Sequence, residues 1–113
     1  MKTYKQKGNT ALLILNQKTS AKVLVNNVVL IKGDVNYTTF YLNGGQERVV
    51  AHTMKFFVNH LENFGFLRVH RAFMINPSYV KEYNPTEESV MMSNGQKANI
   101  SRRKKHILKK ILI

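Results

Sequence analysis

Apolar and polar residues alternate in short bursts along most of this chain, and only two stretches repeat at helical spacing. Ala11–Asn16, Lys22–Val25, Val28–Lys32, Tyr37–Leu42 and Glu47–Ala51 read as strands in the first half. Asn26-Asn27 parts the second from the third, and Gly33-Asp34-Val35-Asn36 breaks the pattern as a bulge or exposed loop. Asn43-Gly44 and Asn94-Gly95 mark two hairpins, the second joining Ser89–Met92 to Lys97–Ile100. Asn-Gly is a strong hairpin signal because both residues tolerate positive φ. The polar, basic segment Met1–Asn9 reads as a lead-in or linker remnant, so the domain is expected over residues 11–113.

The middle of the chain carries the densest signal. In Phe66–Asn76, Leu67 and Val69 alternate with Arg68 and His70, the period of a strand with one face in a core and one in water. Phe73-Met74-Ile75 follows and stops at Asn76-Pro77, so the chain has to turn at Arg71-Ala72. Arg68, His70 and Arg71 therefore ride on a rigid hinge between two apolar runs. An unpaired buried charge is costly, so these three face water, a partner, or an internal acid; Asp34 and Glu82 are candidate partners for Arg68.

Helical spacing appears in Thr53–Phe64, where Phe56, Phe57, His60, Leu61 and Phe64 share a stripe, with Thr53 as N-cap and Gly65 past the end. It appears again in Ser101–Leu112, where Ile107, Leu108, Ile111 and Leu112 form the stripe and Ser101 can cap. The sum is a mainly β fold: about ten short strands in small antiparallel sheets, one central helix and one short C-terminal helix.

Composition narrows the setting. A chain of 113 residues with 43% apolar content suits one domain with a proper core. Cysteine is absent, which excludes disulfides and thiolate zinc sites and suits a reducing cytoplasm. The run Ala11–Leu15 is too short for a signal-peptide core or a membrane span, so a soluble chain is expected.

Charge changes the picture most. Eighteen Lys and Arg oppose six acids, a formal +12, and half of that excess lies in the last thirteen residues. Repulsion on this scale is best tolerated beside a polyanion. The first turn of the C-terminal helix reads Arg102-Arg103-Lys104-Lys105, although a helix N-terminus already carries about half a positive charge and disfavours each cation by about 0.3–1 kcal/mol. Free N–H groups, the dipole and four cations make a trap for phosphate. The alternative is a solvated charge run on an exposed helix.

The run Leu67-Arg68-Val69-His70-Arg71-Ala72-Phe73-Met74-Ile75-Asn76 closely resembles the signature of the LytTR DNA-binding domain, where Phe-x-Arg-x-His-Arg-Ser-aromatic precedes an apolar pair and Asn. Val28–Tyr37, with Gly33, Asp34, Asn36, Tyr37 and Thr38, is similar to that family's earlier block ending in Asn-Tyr-Thr. Thr53–Leu61 looks like its central helix, and Ser93-Asn94-Gly95 with Ser101-Arg102 look like its hairpin and closing Ser-Arg. The blocks keep their order from about Ala11 to Lys110.

The resemblance implies a bacterial transcription-factor module that binds duplex DNA through loops and strand ends at paired direct repeats and bends it. Two copies would then share one promoter site. It places base contacts on Asn36, Arg71 and Arg102. Ala72 departs from the family's Ser, which removes any hydroxyl-to-phosphate contact there. Most members follow a receiver domain of a two-component system; with none in this sequence, an excised response-regulator output domain or a stand-alone regulator is expected.

Weighed singly, Arg71 and Arg102 can each fork onto guanine O6 and N7, or hold a phosphate or a surface acid instead. Asn36 can pair with adenine or satisfy its own loop. Lys32, His70, Arg103, Lys104 and Lys105 suit phosphate positioning. The six acids and four histidines form no paired-carboxylate or zinc pattern, and no phosphate loop or nucleophile elbow appears, so neither an enzyme nor a cofactor is expected. Two other partners remain open: RNA, stacked on Tyr37 or Tyr41 if a sheet face is open, and an anionic membrane, met by the C-terminal basic helix.

Overall fold

The computed structural model describes residues 3–6, 10–16 and 21–112. Among them lie eleven strands in three antiparallel sheets and two helices, with no helix long and apolar enough to cross a membrane.

The first sheet is β1 (Thr3–Gln6), β2 (Thr10–Asn16) and β3 (Ala21–Leu24), in that order. Within the expected lead-in, Thr3–Gln6 thus forms a strand, paired with Thr10–Leu13, while Met1, Lys2 and residues 7–9 lie outside the described residues.

The central sheet joins β4 (Val28–Gly33), β5 (Thr38–Leu42), β6 (Glu47–Val50), β7 (Leu67–His70) and β8 (Phe73–Ile75), in the order β6-β5-β4-β8-β7. The third sheet is β11 (Lys97–Asn99), β10 (Ser89–Met92) and β9 (Val80–Asn84). The helices are α1 (Lys55–Glu62) and α2 (Arg102–Leu112).

The central sheet is covered on both faces, which is why Val28–Ile31 are four consecutive buried apolar residues rather than an alternating row. On one face Val28, Ile31, Phe40 and Met74 pack with the first sheet and with Phe57, Val58 and Leu61 of α1. On the other face Val29, Leu30, Val69 and Ile75 pack with Val90, Met92 and Ala98 of the third sheet and Leu108 of α2. Strict alternation would put Val28 and Leu30 on one side. The register shifts between them, and that bulge turns Leu30 to the opposite core.

A second bulge falls between Arg68 and His70, which face Met74 and Phe73 across the pair. Val69 is the extra residue, and its carbonyl accepts from Ser101 N–H at 2.8 Å, which fixes the start of α2 beside β7. Asn76, closing β8, donates its side-chain N–H to the Val28 carbonyl at 3.0 Å and accepts from Ser78 N–H at 3.1 Å.

Two local expectations differ. Thr53 is not the helix cap: α1 begins two residues later, behind Met54, with no side-chain cap bond. Met54 is buried in the first core, so packing rather than capping sets the entry. At the two Asn-Gly hairpins positive φ falls on Gly44, Gly45 and Gly95, while Asn43 and Asn94 keep ordinary backbone. Asn94 instead accepts from Gln96 N–H at 3.0 Å through its side chain. The exit of α1 follows the sequence: Phe66 and Gly65 donate to the carbonyls of Leu61 and Glu62 at 3.1 and 3.0 Å, with Gly65 at φ 89°.

Candidate nucleic-acid interface

Three segments distant in sequence meet at one end of the central sheet. The β7–β8 turn is Arg71-Ala72. The β4–β5 loop is tied to it, because Gly33 N–H donates to the Ala72 carbonyl at 2.8 Å. The N-terminus of α2 is tied to β7 through the Ser101–Val69 bond.

Between the turn and the helix lies a groove of about 590 Å³, lined by Arg68, His70, Arg71, Ser101, Arg103 and Lys104. Among the described residues the ion pairs are Lys97–Glu87 at 2.6 Å and Lys105–Glu88 at 4.0 Å. The four cations of the groove, Arg68, Arg71, Arg103 and Lys104, therefore form no ion pair among the described residues, in a region where the α2 dipole adds positive potential. Such a cluster opposes itself until an anion enters.

Of the residues singled out in sequence, His70, Arg71, Arg103 and Lys104 come together here. Lys32 stands nearby, opposite Phe73 in register, with Nζ 5.9 Å from its ring centroid, and Phe73 in turn tilts against His70 at 5.8 Å. Lys105 is half-buried and leans toward Glu88, which lowers its availability to a partner. Arg102 is exposed as the first residue of α2, outside the groove lining.

Asn36 is exposed in the β4–β5 loop. It does not satisfy its own loop: the Asp34 carboxylate accepts from Val35 N–H at 2.8 Å, and Asp34 N–H donates to the Tyr37 carbonyl at 2.8 Å. Next to it Val35 stands 80% exposed.

Arg68 has a partner the sequence did not suggest. Neither Asp34 nor Glu82 pairs with it; its Nη2 donates to the Arg71 carbonyl at 3.1 Å. His70 Nδ1 accepts from Ala72 N–H at 3.1 Å. Arg68 and Ser101 were not foreseen as groove residues. The only local sign was the arginine three positions before Arg71, and spacing alone does not tell a strand arginine from a brace.

Of the two tyrosines that could stack RNA bases, Tyr41 is packed against the second core while Tyr37 is 52% exposed just before β5. Leu108 is buried in the same core, which turns at least this residue of the α2 stripe inward; the side chains of Ile107, Ile111 and Leu112 lie outside the described residues.

Comparison with known proteins agrees with this geometry. The sequence model of the LytTr DNA-binding domain matches residues 18–113. The sensory transduction protein LytT of Bacillus subtilis (strain 168) is 35% identical over 83 residues, covering 71% of this chain and 33% of LytT. This chain thus spans about a third of that relative. The solved LytTr DNA-binding domain of a putative methyl-accepting/DNA response regulator from Bacillus cereus superposes with a TM-score of 0.72, covering 89% of this chain and 95% of that one at 20% identity, which is a likeness of fold.

Proposed function

The chain belongs to the LytTR family of DNA-binding domains, and from that membership we propose that it binds duplex DNA sequence-specifically to regulate transcription. The carrying observation is the groove, where His70 and Arg71 of one hairpin meet Arg103 and Lys104 of a helix far along the chain, with no ion pair to an acid among the described residues. Arg103, Lys104, Lys105, Lys32 and His70 hold phosphates and set register. Arg71, Arg102 and Asn36 read base edges, the arginines on guanine and the amide on adenine.

The sheet end and the helix N-terminus enter successive major grooves, and a second copy occupies an adjacent direct repeat. In this reading a receiver domain controls this output domain in a cytoplasmic regulator; the longer relative's description as a sensory transduction protein supports control by a signal.

Selection of bound duplexes from a random pool, followed by a salt titration, tests the reading. With about six phosphates neutralised, log affinity falls against log salt with a slope near −5. A flat salt response, or better binding to single-stranded RNA than to any selected duplex, would refute it. Arg71→Ala removes preference for the selected site and leaves weak general binding; an equal loss on all DNA would make Arg71 a phosphate contact.

A further inference from the structure

The β7–β8 connection has only two residues, and such hairpins favour turns with positive φ because those match the sheet twist. Neither Arg71 nor Ala72 has positive φ. Something else has to hold this turn. The Arg71 carbonyl and the Ala72 N–H are the two ends of one peptide group. Arg68 Nη2 donates to its oxygen at 3.1 Å, and His70 Nδ1 accepts from its hydrogen at 3.1 Å. The next carbonyl, of Ala72, accepts from Gly33 N–H at 2.8 Å.

We propose that Arg68 and His70 are positioning residues: two jaws that grip the Arg71–Ala72 peptide plane, fix ψ of Arg71 and so aim its guanidinium at the base edge. The inference rests on the DNA-binding reading for its functional half, and on geometry alone for the grip. It assigns Arg68 to the protein's own backbone although it lines the groove. It also fixes the histidine tautomer. Accepting at Nδ1 leaves the ring proton on Nε2, free to donate to a phosphate. The Arg-x-His-Arg run thus has a division of labour, with the first two side chains holding the peptide that carries the third.

The grip holds through the outer face of a strand whose inner face is buried: Val69 is fully covered by the second core, so the two jaws cannot drift with β7. A side chain misaimed by an ångström loses a bidentate base contact, while a phosphate contact tolerates the same error. The grip therefore bears on sequence choice rather than on general affinity.

The test compares binding to the selected site and to an unrelated duplex in one buffer. His70→Asn keeps an acceptor where Nδ1 stands, and His70→Gln places its polar atoms near Nε2 instead. Arg68→Lys keeps a donor; Arg68→Met keeps the aliphatic bulk without one. Arg68→Met and His70→Gln are expected to cut the ratio of the two affinities about tenfold, while Arg68→Lys and His70→Asn retain most of it. A phosphate contact from Nε2 affects both duplexes alike and drops out of the ratio.

If Arg68→Met weakens both duplexes equally and reduces the salt slope by about 1, Arg68 is a phosphate ligand and the proposal is overturned. It is equally overturned if His70→Asn loses as much preference as His70→Gln. A DNA-free readout separates the grip from the DNA reading: a 15N–15N coupling across the hydrogen bond between Ala72 N and His70 Nδ1, present in the unaltered protein. Absence of that coupling sinks the grip even if DNA binds; its presence without any preferred duplex sinks the DNA reading instead.

Discussion

Gly33 and Met54 touch where no side chain fits: a Cβ on Gly33 would stand 2.9 Å from the Cβ of Met54. The contact sets the β4–β5 loop directly on the entry of α1, and the same glycine donates to Ala72 across the sheet. Gly33→Ala forces one of these backbones to move. The expected cost is about 1–3 kcal/mol, as for other overpacked sites. A urea titration followed by circular dichroism reads it as a lowered midpoint at unchanged slope; an unchanged midpoint would show that the loop gives way freely.

Phe40 and Phe57 are both fully buried and meet edge to face, with centroids 4.9 Å apart and planes at 87°. This pair joins the central sheet to α1. Phe57→Leu and Phe40→Leu each destabilise the fold, and the double variant loses less than their sum, by about 0.5–1.5 kcal/mol. Strict additivity in a double-mutant cycle would reduce the contact to simple area burial.

His60 titrates against the fold. Its Nε2 is buried with no hydrogen-bond partner among the described residues, and burial holds its pKa below the ordinary histidine value. The unfolded chain then binds the proton more readily, so its share of stability is present above the ordinary value near pH 6.5 and is lost as pH falls through the folded value. His60→Leu removes that share of the acid sensitivity. Unfolding midpoints at about pH 7.5 and about pH 5.5 differ more for the unaltered protein than for the variant; equal differences would exclude His60 as the source.

Asn36→Ala separates loop structure from recognition. Because Asp34 satisfies the loop backbone, removing the Asn36 amide changes stability by no more than about 0.5 kcal/mol. Discrimination at one adenine weakens by about 1–3 kcal/mol. Asp34→Ala does the opposite first, loosening the loop. Footprints of the two variants on the selected site tell them apart: a single relaxed position for Asn36→Ala, and a general loss of protection under that loop for Asp34→Ala.

Much of the fold was legible in sequence because it rests on local period. The alternation Leu67-Arg68-Val69-His70, the helical stripe of Phe57 and Leu61, and the stop at Gly65 each follow from contacts within a few residues. Register is different. The bulges at Val29 and Val69 depend on which of two cores claims each residue, and that choice is made by sheets distant in sequence. The cap at Met54 was decided by burial against Gly33, which outweighed Thr53's suitability as a cap.

What the sequence determined by itself was the inventory: short strands, two helices, cations in two separate runs, and the family they belong to. What only the tertiary structure decided was their meeting. Arg71 and Arg103 lie far apart along the chain, and the Val69 carbonyl, freed by a bulge to hold Ser101, is what brings the helix beside the hairpin. The same holds for Arg68, whose charge suggested an acid and whose position gave it a peptide carbonyl. Local pattern fixes which face of an element is apolar; only the closing of hydrogen bonds between elements fixes where its charges point.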